Sequence, residues 1–83
     1  MTHRHHHSFP LAIAGQNEVV EIVACLPGRG AARKLADLGL PIGSRLKVLT
    51  RHPGGPMVVA RDSVRIALGA GMAHRILVAP AQR

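Results

Sequence analysis

Histidine, cysteine and carboxylate side chains carry most of the chemistry available to a small protein, and in this chain they are few and unevenly placed. Four of the six histidines lie in the first seven residues, interrupted by Arg4. Neutral imidazole binds Zn2+, Cu2+, Ni2+ and Fe2+. His3, His5 and His7 could converge on one ion if the segment became ordered. His52 or His74 could complete such a site between two molecules, giving a metal-bridged dimer. Residues 1–8 have no apolar periodicity and read as a flexible His-rich tail. The expectation is opportunistic binding of Zn2+ or another divalent transition metal, with no cofactor required.

The remaining reactive groups argue against catalysis. Cys25 is the only cysteine, so no intramolecular disulfide and no thiolate zinc site can form. It ends an apolar run, Val19–Leu26, where a buried and inert thiol is expected. The four acids, Glu18, Glu21, Asp37 and Asp62, are scattered, and no spacing forces two of them together. Gly28-Arg29-Gly30 is a weak match to any nucleotide fingerprint, and no Gly-Lys-Ser/Thr phosphate loop is present. The chain reads as a binding module and not as an enzyme.

Charge points to the kind of partner. Eleven Lys and Arg stand against four Asp and Glu, a net charge of +7 on 83 residues. Such an excess favours an acidic protein, anionic lipid or nucleic acid. Nine of the cations are Arg, which suits bidentate contacts. Arg29, Arg33 and Lys34 gather at the start of a predicted helix, and Arg45, Lys47 and Arg51 line one face of the next strand. Phe9 is the only aromatic residue. Stacking platforms for bases and aromatic grooves for proline-rich peptides are therefore missing. No apolar run approaches the ~18 residues of a membrane span, so the expected location is cytoplasmic.

These groups must be positioned by short elements. With 47% hydrophobic residues the chain should fold, and its length suits one small domain. Phe9–Ile13 reads as a first strand, Gly15-Gln16-Asn17 as a turn, and the Val/Ile-rich stretch Glu18–Leu26 as a strong strand. Pro27 to Gly30 breaks the sheet. Ala31–Leu38 is the main helix, with Ala31, Leu35 and Leu38 on one face, and Gly39 and Pro41 end it. Further strands follow at Ser44–Arg51, Met57–Arg61, Val64–Leu68 and Arg75–Ala79, with Asp62-Ser63 as a tight connection and Gly69–His74 as one weak helical turn. The fold class is mainly β: a small barrel of five or six strands with one short helix inserted between early strands.

The stretch Arg33-Lys34-Leu35-Ala36-Asp37-Leu38-Gly39-Leu40-Pro41-Ile42-Gly43-Ser44-Arg45-Leu46-Lys47-Val48 resembles the signature of the ferrous iron transport protein A (FeoA) family: a basic residue, Leu-x-x-Leu-Gly-Leu, then a glycine opening an apolar strand. Leu11 and Gly15, Pro56–Val59, Val64–Leu68 and Ala73–Val78 agree in outline, so the resemblance covers residues 9–79. It implies an SH3-like FeoA-type domain, here bounded at residues 9–80. It also implies a cytosolic accessory that supports ferrous iron uptake by docking on the permease FeoB at the inner membrane. The family often has an acidic residue where this chain has Gly69-Ala70-Gly71-Met72, and the His-rich start has no counterpart in it. The expected contact surface is Arg29, Arg33, Lys34 and Asp37 on the helix, with Leu40 and Pro41 after it. The alternative is a nucleic-acid-binding or metal-regulatory SH3-like module.

Overall fold

In the computed structural model, which describes residues 8–81, the elements follow the hydrophobic pattern closely. They are β1 (Phe9–Pro10), a 3-10 turn (Leu11–Ile13), β2 (Val19–Cys25), α1 (Arg29–Asp37), β3 (Arg45–Arg51), β4 (Met57–Arg61), β5 (Val64–Leu68), α2 (Ala70–Arg75) and β6 (Ile76–Pro80). The strands form one antiparallel sheet in the order β1-β6-β2-β3-β4-β5. The fold is mainly β, and the main helix lies between β2 and β3 as expected. The two-residue connection at Asp62-Ser63 pairs Arg61 with Val64, and Asp62 takes the left-handed conformation (φ 56°) that such turns need.

The first strand is shorter than the pattern suggested. Only Phe9 and Pro10 pair with β6; the chain then turns so that Leu11 is fully buried and Ile13 is exposed. Proline lacks an N–H for the ladder, which favours leaving the sheet at this point.

Two irregularities change which side chains face inward. In β2, Val20 and Ile22 are buried, and a register shift between Ile22 and Ala24 puts Cys25, not Ala24, in the core. In β3, Leu46 and Val48 are buried, and a shift between Val48 and Thr50 reverses the alternation after them. Thr50 becomes exposed and Arg51 half-buried, so Arg51 leaves the outer stripe that Arg45 and Lys47 keep.

The core contains no aromatic side chain among its buried members. Leu11, Ile22, Leu35, Leu40, Ile76 and four valines are its largest fully buried residues. Burial pushes the Cys25 thiol above its ordinary range, and the charge of Arg75 opposes that rise. The thiol's contribution to stability is therefore complete below the ordinary thiol range and is lost as pH rises through the raised folded value. Urea midpoints from pH 7 to 10 should fall more steeply for the wild-type chain than for Cys25→Ala. Equal slopes would contradict this assignment.

Candidate partner-binding surface

Helix α1 begins at Arg29, two residues earlier than the apolar pattern indicated, with Gly28 as its N-cap. That early start brings Arg29 and Arg33 one turn apart on the same side of the helix. Arg29, Arg33, Lys34 and Asp37 are all exposed. No side chain caps the first turn, and it holds no acidic residue. The positive end of the helix dipole thus coincides with Arg29 and is unopposed within its own turn.

The other end of α1 is fixed by a Schellman motif. The amide of Gly39 donates to the Ala36 carbonyl at 2.9 Å, and that of Leu40 to the Leu35 carbonyl at 3.0 Å. Gly39 has φ +95°, a conformation that favours glycine. This reversal brings Leu40 back under the helix onto Leu35, and both are fully buried. Leu40 is therefore a core residue, and its expected place on the contact surface is corrected: a side chain with no exposed area cannot meet a partner. Pro41 is half-buried beside it.

Leu38 takes the opposite course. It was expected on the core face but is 48% exposed, and Ile42, beyond the turn, is 46% exposed. Sequence reasoning missed both as surface residues. The signal was available, because Leu35 and Leu40 occupy the two positions whose side chains normally meet across a Schellman turn. With Leu40 filling the site under the helix, Leu38 is left outside.

Arg61, at the end of β4, anchors this turn. Its Nη1 donates to the Gly39 carbonyl at 3.0 Å, placing a cation at the negative end of the helix dipole. Replacing Arg61 with methionine should cost about 1.5 kcal/mol, the low end of the usual range for a hydrogen bond to a charged group, because the side chain is only half-buried. Urea denaturation would measure it; an unchanged midpoint would show that the tether contributes nothing. Ser44 donates its hydroxyl to the Pro41 carbonyl and holds the following turn.

The other nominated residues are placed differently. His3, His5 and His7 lie outside the described residues. Among the described residues, no three His, Cys, Asp or Glu side chains come together as a metal site would require. His52 and His74 line one cleft, and Arg51 lines it with them. A guanidinium beside two imidazoles works against cation binding there. Arg45 and Lys47 remain exposed on β3, opposite Glu21 and Val19 of β2. No helix among the described residues is long and apolar enough to cross a membrane.

Residues 9–80 match the FeoA domain family. The chain belongs to the FeoA family. It is 38% identical over 74 residues to a Methanocaldococcus jannaschii protein named "Putative Fe(2+) transport protein A", covering 89% of each chain. Its fold superposes with a TM-score of 0.79 on a crystal structure of an iron uptake regulatory protein, FeoA, at 35% identity; 89% of this chain and 99% of that one are covered. A manganese-dependent transcriptional repressor gives the same TM-score at 26% identity, with 90% of this chain matching 42% of that one. The barrel is thus the SH3-like one of FeoA proteins. The departure at Gly69-Ala70-Gly71-Met72 falls at the start of α2, which forms without an acid in its first turn.

Proposed function

We propose that this FeoA-family chain is a non-catalytic adaptor that supports Fe2+ uptake by docking on the cytosolic part of the membrane permease FeoB. The observation that carries this reading is the exposed basic start of α1, where Arg29, Arg33 and Lys34 add their charge to a helix end without a side-chain cap. An acidic domain surface, or anionic lipid around it, is the complementary partner. Leu38 and Ile42 supply exposed apolar area at the other end of the same helix. Charge would guide the encounter and these two side chains would hold the complex. The adaptor would work in the cytoplasm, peripheral to the inner membrane.

The test is direct binding of the full chain to the permease's cytosolic domain, with and without guanine nucleotide. A saturable complex that weakens with salt supports the proposal, and the absence of a complex at low salt overturns it. The likeness to a manganese-dependent repressor favours a second reading, a nucleic-acid or metal-regulatory module. Its mark would be DNA or RNA affinity falling steeply with salt.

A further inference from the structure

Arg51 is the β3 cation that the fold turns away from the outer surface. The register shift after Val48 rotates it out of line with Arg45 and Lys47 and leaves it half-buried. Its guanidinium is charged at any physiological pH. One nitrogen, Nη2, donates to the Ala12 carbonyl at 3.3 Å, a long contact. Nε is buried and has no partner. A buried donor left without a partner is costly. Bulges recur beside functional sites because they re-aim side chains in this way.

Arg51 lines a cleft of about 220 Å3, many times the space one water molecule needs. One wall is the turn from His52 to Gly55, closed by the Gly55 amide donating to the His52 carbonyl at 2.7 Å. The other is α2, which contributes His74. No Asp or Glu is among the described residues that line the cleft. The polar side chains there are one guanidinium and two imidazoles, all able to donate hydrogen bonds and none carrying negative charge.

We propose that this cleft binds a small oxyanion, a phosphate or a carboxylate, with Arg51 as its principal contact and His52 and His74 as flanking donors. The guanidinium fork matches the paired oxygens of either group. An anion would supply the counter-charge that this part of the fold lacks. The site is separate from the α1 surface, and it does not depend on the permease reading.

The test is a titration of the isotope-labelled full chain followed by NMR, with inorganic phosphate in one arm and citrate in the other. Ionic strength and pH are held constant, with sodium chloride as the control. Saturable shifts confined to residues 52–55, residues 70–74 and the Arg51 side chain are expected in at least one arm. Saturation by phosphate alone assigns a phosphate ligand, and by citrate alone a carboxylate. Arg51→Met should weaken binding by roughly tenfold or more, the loss of one charge-assisted contact. Arg51→Lys should keep part of the affinity, because the charge remains without the fork. Shifts that never saturate, or that spread equally over Arg29, Arg33 and Lys47, would overturn the proposal. So would unchanged affinity in a folded Arg51→Met chain. The wild-type titration decides the matter by itself if that variant does not fold.

Discussion

Replacing Leu40 with alanine is expected to remove about 3–4 kcal/mol of folding stability, as fully buried leucines do when the site cannot collapse around the space left. Leu40 has no exposed area and packs at the turn where α1 is fastened to the barrel. Collapse is restricted there. The Gly39 turn is held by two backbone hydrogen bonds on one side and by Arg61 on the other. A domain this small has a total stability on the order of 5 kcal/mol, so the variant should unfold far more readily than the parent. Leu38→Ala, two residues away, should change stability by no more than about 0.5 kcal/mol, because Leu38 is already half in water. Chemical denaturation of the two variants side by side is the measurement. Equal losses would mean that the two leucines share the core, and the assignment of Leu38 to the surface would fail.

The contrast between these two leucines shows how far the sequence could be read. Helical periodicity placed Leu38 on the buried face, because residues 31, 35 and 38 do lie along one side of an ideal helix. The helix does not stay ideal to Leu38, which is already its C-cap. Hydrogen-bond closure across Gly39 then delivers Leu40 to the place that periodicity had given to Leu38. Sheet residues repeat the lesson. Alternation along β3 is correct for Leu46, Lys47 and Val48 and fails at Arg51, because one extra residue in the pairing reverses inside and outside. Bulges depend on how two distant strands fit each other, and a single strand carries little sign of them. What was legible depends on local chemistry: the β-branched run of β2, the glycine stop after α1, the Asp62-Ser63 hairpin, and the exposed cations of α1. The oxyanion cleft was not legible, because it joins the 3-10 turn, the end of β3 and α2, which meet only once the barrel has formed.

Reversing Arg29 and Arg33 to glutamate together should weaken binding to the permease's cytosolic domain by roughly tenfold or more at low salt, with most of the loss in the association rate. Two cations become two anions, a swing of four charge units on a face with no buried members. The difference from wild type should shrink as salt rises, since exposed charges are screened within about 10 Å at ordinary ionic strength. Stability should move the other way. Arg29 is the first helical residue and opposes the positive end of the dipole, with no acidic neighbour in that turn. Glutamate at this position is favourable by about 0.3–1 kcal/mol, and the exposed position of Arg33 should add little of either sign. A variant that is as stable as the parent or more so, yet binds weakly, cannot be explained by misfolding. Ferrous iron uptake in cells lacking the native protein gives the second readout and should fall with binding. Full uptake and wild-type affinity would show that the α1 cations are only solvated. The search for the docking face would then move to Arg45 and Lys47, without Arg51, which the bulge has turned toward the cleft.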